Sequence, residues 1–288
     1  MNVNASVPDF TYDGKRFTNL DLVSKGTLDS LNATISVTDI ALSDSLHIPN
    51  TRLILGARND LTHVQLTTSA SKTVSEARLN ANIKTLSDGV RIHLFPSSFI
   101  LNDKKWNLEK DGEITLRKSY IEAKDVRFTQ GEQEIVIDTE PDDESNRIDL
   151  VAKLRKVNIN DFTPLFMNKP RLEGIITGKV KLKDPFGKQI VEYDAVAEKV
   201  RVDNKEIGDV TMKGDVNTST GQVTVDAGIT GDKNKARIKG SLNYKDTTNN
   251  QLDIAFTSER FDISILDNYM GSIFSEMQGN AISDLKVT

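Results

Sequence analysis

One stretch of this chain is written twice, and no other feature limits its fold so strongly. Asn146-Arg147-Ile148-Asp149-Leu150 aligns with Asn250-Gln251-Leu252-Asp253-Ile254 at a shift of 104 residues. The shift persists where Val157-Asn158-Ile159-Asn160 meets Phe261-Asp262-Ile263-Ser264. One extra residue then sets Glu173-Gly174 against Gln278-Gly279. Few letters are identical, yet the order of parts is the same: alternating strand, polar cap, short apolar helix, glycine, alternating strand. A repeated order of parts predicts an architecture that grows by adding like units. The second copy reaches Ile282-Ser283-Asp284-Leu285-Lys286-Val287 and stops inside a strand pattern, so the chain reads as a segment cut from a longer one.

A second, more distant pair supports strands. Asp13-Gly14-Lys15-Arg16-Phe17-Thr18-Asn19-Leu20 matches Asp203-Asn204-Lys205-Glu206-Ile207-Gly208-Asp209-Val210 at a shift of 190. The shift is 188 by Gly26-Thr27-Leu28 over Gly214-Asp215-Val216, and Ile35-Ser36-Val37 then falls over Val223-Thr224-Val225. An even change in length keeps inward residues inward, because strand side chains alternate with period two.

Short alternating runs fill the rest, such as Val64-Gln65-Leu66, Leu79-Asn80-Ala81-Asn82-Ile83, Arg91-Ile92-His93-Leu94 and Ile114-Thr115-Leu116. Polar turns separate them; Ser87-Asp88-Gly89 and Lys110-Asp111-Gly112 carry the Asp-Gly hairpin signal. Strands resume at 196–202, 210–216, 223–229, 238–244 and 252–256. This spacing predicts antiparallel meanders rather than βαβ units. A parallel β-helix would show a period of one short coil, and none is present. The fold class is therefore all-β with two short helices, divided as 1–156, a helix-plus-strand module at 157–182, and 183–288 ending in a second such module.

The clearer helix follows Ser264 as cap, with Asp267 in its first turn. Ile265, Leu266, Tyr269, Met270, Ile273, Phe274 and Met277 share one face, and Gly279 ends it. In the first copy Asn160 takes the cap position. Phe162, Leu165, Phe166 and Met167 form the apolar face, with Pro164 in the first turn, where a missing N–H costs little. Gly26, Gly178, Gly214 and Gly240 sit in similar strand contexts and predict recurring bends.

Composition narrows the function classes. Aromatics are 6% and mean hydropathy is −0.39, which predicts a thin aliphatic core. A net charge of −5 with no long basic run argues against nucleic acid. Cysteine is absent, so there is no disulfide framework. No apolar run approaches the ~18 residues of a membrane helix, and Met1-Asn2-Val3-Asn4 lacks the parts of a signal peptide. His47, His63 and His93 are scattered and fit no metal-ligand spacing. Asp142-Asp143-Glu144 lacks the spacing of a calcium loop and reads as a solvated turn. Asn4-Ala5-Ser6, Asn32-Ala33-Thr34 and Asn217-Thr218-Ser219 match the glycosylation triplet, which is common by chance. Trp106 reads as a packing anchor. No catalytic, metal or cofactor motif is found, and an enzyme is not expected; a carbohydrate-active β-protein would cluster carboxylates with aromatics.

Phe95-Pro96-Ser97-Ser98-Phe99-Ile100-Leu101-Asn102, followed by Trp106, resembles a segment of Bacteroidetes TamB-like proteins. Val157-Asn158-Ile159-Asn160-Asp161-Phe162, with Leu172-Glu173-Gly174 and Gly178 behind it, is similar to the helix-then-glycine module of that family, the inner-membrane component of the translocation and assembly module. The resemblance implies an AsmA-like fold: an elongated, curled antiparallel sheet forming a repeating β-groove, or β-taco, lined with aliphatic side chains. It implies a periplasmic protein tethered to the inner membrane. Its partners would be phospholipid acyl chains and, through regions outside this segment, an outer-membrane barrel of the Omp85 type. Its roles would be phospholipid transport and outer-membrane protein assembly and secretion.

Applied to this chain, the groove lining is expected at Ile35, Val37, Val180, Leu182, Val210, Met212, Val216, Val223, Val225, Ile238, Leu242, Leu252 and Ile254. The helix faces at Phe162, Leu165, Phe166, Leu266, Met270 and Phe274 are expected to lie over or into it. The alternative is a non-enzymatic structural or adhesive β-repeat protein whose interior is a closed core.

Overall fold

The structure is a computed structural model that describes residues 1–12, 14–41, 47–69, 74–142, 148–163, 169–245, 252–267 and 277–287, the side chains of 74–76 excepted. The described residues are all-β, 77% strand and 4% helical, and among them 21 strands pair antiparallel without closing into a barrel. Two compact units divide the chain between Thr139 and Glu140. This division falls ahead of residue 156, where the sequence pattern placed a boundary.

In the first unit, β1 (Asn2–Tyr12), β2 (Lys15–Gly26), β3 (Ser30–Ala41), β4 (His47–Arg58), β5 (Leu61–Thr68) and β6 (Val74–Leu86) form a meander. Its register carries the alternation directly. Ala5, Leu22, Ile35, Leu53, Leu66 and Leu79 are successive cross-strand partners and share one face. β1 is a strand that the sequence reading did not assign.

The meander then forks. One half of β6 pairs with β7 (Gly89–Leu94), which leads to β10 (Gly112–Arg117) and β11 (Tyr120–Lys124). The other half pairs with β8 (Ser97–Leu101), which leads through β9 (Lys104–Leu108) to β12 (Val126–Gln130) and β13 (Gln133–Pro141). These strands hold a closed core of Leu101, Trp106, Leu108, Ala123 and Val126, each at most 2% exposed. Phe99 stacks on Trp106 at 6.2 Å, and Phe128 tilts against Phe99 at 5.9 Å. Trp106 is thus the packing anchor expected of it. Of the two segments that carry the family resemblance, the first contributes Leu101 and Trp106 to this closed core.

The second unit comprises β14 (Ile148–Asn158), α1 (Ile159–Phe162), β15 (Leu172–Lys183), β16 (Ile190–Val202), β17 (Lys205–Asn217), β18 (Gln222–Thr230), β19 (Lys235–Asn243), β20 (Leu252–Asp262), a 3₁₀ turn (Ile263–Leu266) and β21 (Asn280–Val287). Each strand pairs with the next.

The duplicated stretch is a structural duplication within this unit. A register shift between Leu154 and Val157 in β14 recurs between Ser258 and Phe261 in β20, 104 residues on. Helical turns begin at Ile159 and Ile263, again 104 apart. Gly174 and Gly279 both take positive φ, +147° and +114°, and stand 105 apart, so the extra residue lies between helix and glycine. Each glycine occupies a conformation that a side chain would strain.

The caps differ from the sequence reading. Asp262, not Ser264, caps the second turn, accepting the Ser264 N–H at 3.0 Å. Asn158, not Asn160, holds the N-cap position in the first copy, without a side-chain cap bond. In each case the chain enters the helical turn two residues earlier than the polar letter suggested, because the strand pairing ends there. Phe162 and Leu266 are half-buried and Ile265 is buried. Pro164, Leu165, Phe166, Met167, Tyr269, Met270, Ile273 and Phe274 lie outside the described residues.

Strand bends in the second unit gather toward one end of the strands. Bulges interrupt β14 at Arg155-Lys156, β16 at Glu198-Lys199 and β20 at Glu259-Arg260, with all six side chains exposed. Lys156 and Lys199 take left-handed φ of 50° and 53°. Their amides are not wasted: Lys156 N–H donates to Thr177 Oγ1 at 3.0 Å and Lys199 N–H to Asp209 Oδ1 at 2.8 Å. A bulge bends its strand and increases its twist.

The strand glycines play a different part. A Cβ on Gly178, Gly214 or Gly240 would fall within 2.4 Å of a carbonyl oxygen on the adjacent strand. These three permit close backbone approach. Gly26 makes a looser approach of the same kind at the end of β2, where a Cβ would meet the Ser30 carbonyl oxygen at 2.7 Å, beside a turn in which Thr27 N–H donates to Ser30 O at 2.8 Å.

Candidate functional site

The second unit has two chemically opposite faces. Antiparallel partners point to the same side, so the register lists each face. Leu150, Leu182, Val191, Val216, Val223, Leu242 and Leu252 form one continuous row across seven strands. The next row is Ala152, Val180, Tyr193, Gly214, Val225, Gly240 and Ile254. A third runs Leu154, Gly178, Ala195, Met212, Ala227, Ile238 and Phe256. A fourth continues through Ile176, Ala197, Val210, Ile229, Ala236 and Ser258. No charged side chain enters these rows.

Eleven of the residues expected to line a groove therefore share this face: Val180, Leu182, Val210, Met212, Val216, Val223, Val225, Ile238, Leu242, Leu252 and Ile254. Ile35 and Val37 belong to the first unit, where Leu22 and Leu20 are their partners. Sequence reasoning missed Tyr193, Ala195 and Ala197, though the alternation Val191-Glu192-Tyr193-Asp194-Ala195-Val196-Ala197 marks all three.

The opposite face is a lattice of alternating charge. Lys179, Asp194, Lys213, Asp226 and Lys239 are successive partners on β15 to β19. Lys213 lies 3.6 Å from Asp194, and Arg237 grips Asp226 with two bonds of 2.9 and 2.7 Å. The Arg237 hydrogen bonds hold the Asp226 carboxyl below its ordinary value. A shallow hollow of about 760 Å³ opens on this face between Lys179, Glu192, Lys213, Asp215 and Asp226. Its acids and lysines are interleaved, and it is open to solvent; no convergent donor set marks it as a recognition site.

Charge is densest where β14 and β15 begin and end. Glu140 meets Lys153 at 2.9 Å and Lys179 and Lys181 at 4.0 Å, and the Lys153 hydrogen bond holds its carboxyl below the ordinary value. Asp149 is 1% exposed and 3.7 Å from Lys181. Burial pushes the Asp149 carboxyl up, with the Asp142 charge adding to the effect and Lys181 and Lys183 opposing it.

The histidines make separate contacts: His47 with Asp39 at 2.8 Å, His63 with Asn82 at 2.8 Å and His93 with Asp111 at 3.0 Å. No group of three or more metal-ligating side chains occurs among the described residues. Among them, too, no helix is long and apolar enough to cross a membrane.

No protein-family profile, curated protein or solved structure matches the chain.

Proposed function

We propose that the apolar face of the second unit takes up phospholipid acyl chains. The observation that carries this reading is the uncharged four-row face itself, assembled from β14 to β20 while the charges collect on the other side. An occupant that matches it must be aliphatic and uncharged along its contact. A row of Leu and Val offers dispersion contact without directional bonds, so a hydrocarbon chain can lie on it or move along it.

Together with the TamB-like resemblance, this supports a wider reading. The chain is a segment of a periplasmic, inner-membrane-tethered protein of the AsmA-like kind, passing phospholipid between the two membranes or supporting outer-membrane protein assembly and secretion. An Omp85-type barrel would engage parts of the protein outside this segment. The role is binding and conduction, not catalysis.

The test is gentle purification followed by lipid extraction and mass spectrometry, with photoreactive side chains placed at Val216, Val223 and Ile254. Co-purified phospholipid and acyl adducts at these positions are expected. No phospholipid and no adduct would end the proposal. One observation favours a second reading, a structural β-repeat with a filled interior: the closed core around Trp106 in the first unit.

A further inference from the structure

The first and fourth apolar rows carry no ring and the third carries one only at its β20 end, Phe256, whereas the second is crossed in its course by a single ring. Tyr193 on β16 is its only aromatic residue. The ring lies over the neighbouring Gly214 of β17: a Cβ at 214 would stand 2.5 Å from the Tyr193 hydroxyl oxygen and 2.8 Å from Cζ. The hydroxyl donates to the Thr224 carbonyl on β18, two strands away, at 2.9 Å. Thr224 is itself held from the other side. Its Oγ1 accepts the Asp215 N–H at 3.0 Å and donates to the Asp215 carboxylate. The phenol is thus anchored at both ends, by its own strand and by β18, with the glycine supplying the space for the ring.

We propose that Tyr193 is a stop in the acyl track along this row, dividing it into a short side on β14–β15 and a long side on β18–β21. The inference rests on the acyl-binding reading above. Beyond the ring, which covers Gly214, the row runs from Val225 on β18 through Gly240 and Ile254 to Val287 on β21, three strand spacings or about 14 Å. The hydrocarbon half of a bilayer is roughly 15 Å deep. A chain lying across the strands from β21 toward β18 therefore fills the long side and ends against the ring of Tyr193. Gly214 explains why the stop is a tyrosine from the adjacent strand: any side chain at 214 would displace the ring and its bond to Thr224.

The experiment uses vesicles of phosphatidylethanolamine and phosphatidylglycerol carrying a lipid with a diazirine at the end of its acyl chain. After illumination, adducts on the full chain are mapped by mass spectrometry. In the wild type they should gather at Tyr193, Val225 and neighbouring long-side residues of this row and be sparse at Val180 and Ala152. In Tyr193→Ala the adducts at Val180 and Ala152 should rise several-fold. Tyr193→Phe, which keeps the ring but loses the tether, should shift the distribution part of the way. Circular dichroism and thermal melting establish that each variant is folded. Tyr193→Leu, which keeps apolar bulk without the reach to β18, decides the matter if the alanine variant melts early. The same adduct map in folded wild type and in the folded alanine or leucine variant would overturn the stop and leave acyl binding standing. No adduct on any apolar-face residue of the wild type would overturn both.

Discussion

The side-chain oxygen of Asn234 accepts the backbone N–H of Asp262 at 2.9 Å, and so ties the turn before β19 to the end of β20. The same amide group donates to the carbonyls of Glu206 and Ile207 at 3.2 and 3.0 Å. Asn234 is 1% exposed, so none of these bonds can be replaced by bulk water. Asn234→Ala would leave buried groups without partners. A loss of about 1–3 kcal/mol is expected, read as a lower urea midpoint with an unchanged slope. Asp262→Ala removes one cap bond and should cost about 0.5–2 kcal/mol.

Acid should act on the second unit in two opposite senses. Glu140 is held low by its Lys153 hydrogen bond. Asp262 is also held low: burial opposes this, but the Ser264 bonds and the charges of Lys233 and Lys205 prevail. Their stabilising effect is present above the ordinary carboxylate range and is lost as pH falls through their depressed values. Asp149 has the reverse sign. Its raised carboxyl penalises the folded state at neutral pH, and the penalty is gone below the ordinary value of 3.8. Asp149→Asn should therefore raise the melting temperature at pH 7. That advantage should shrink toward zero on acidification below 3.8, and a difference independent of pH would contradict the assignment.

Close approach at Gly240 makes a second class of prediction. A Cβ there would sit 2.0 Å from the Asp253 oxygen and 2.7 Å from the Ile254 Cα, both main-chain atoms that cannot swing aside. Gly240→Ala should destabilise by about 1–3 kcal/mol, in the range of overpacked cores, as measured by denaturant unfolding. Gly131 has open space at its Cβ and φ of +58°. Alanine there should cost only the left-handed backbone term of roughly 1–2 kcal/mol.

Lys156 and Lys199 hold left-handed backbone with ordinary side chains. Replacing either by glycine removes that strain but frees the unfolded chain, so a net gain of at most about 1 kcal/mol is expected. Valine at either position should lower stability instead, because branching at Cβ worsens the left-handed clash. Paired urea melts of the two substitutions at one site give the comparison.

Trp106 is the only tryptophan, and its burial makes fluorescence a private probe of the first unit. Trp106→Ala should cost about 3–5 kcal/mol. In the wild type, the emission should be that of a ring shielded from water and resist quenching by iodide until the unit unfolds.

Much of this architecture was legible because alternation and register express one geometry. The rows of Leu182 and Val216 follow from period-two patterning, and the paired turns at Ile159 and Ile263 follow from the duplicated letters. The closed core around Trp106 was not readable, since the fork of β6 into two partners depends on pairing that no local pattern encodes. The bulges left a trace that was passed over. Arg155-Lys156, Glu198-Lys199 and Glu259-Arg260 are adjacent charged residues between inward-facing ones, where strict alternation allows a single outward residue. Tyr193 was missed for another reason: its role lies in reaching over Gly214 to Thr224, a relation between three strands.

The duplication in the second unit has a consequence for length. From β14 to β20 the chain advances six strands, or about 29 Å across the sheet. The one-residue difference between copies falls in the helix-to-glycine link, where no face can be inverted by it. Such a unit works as a ruler: each additional copy extends reach by a set increment without altering which side repels water. Distance can then be adjusted by counting, while the apolar surface stays the same from one end of the count to the other.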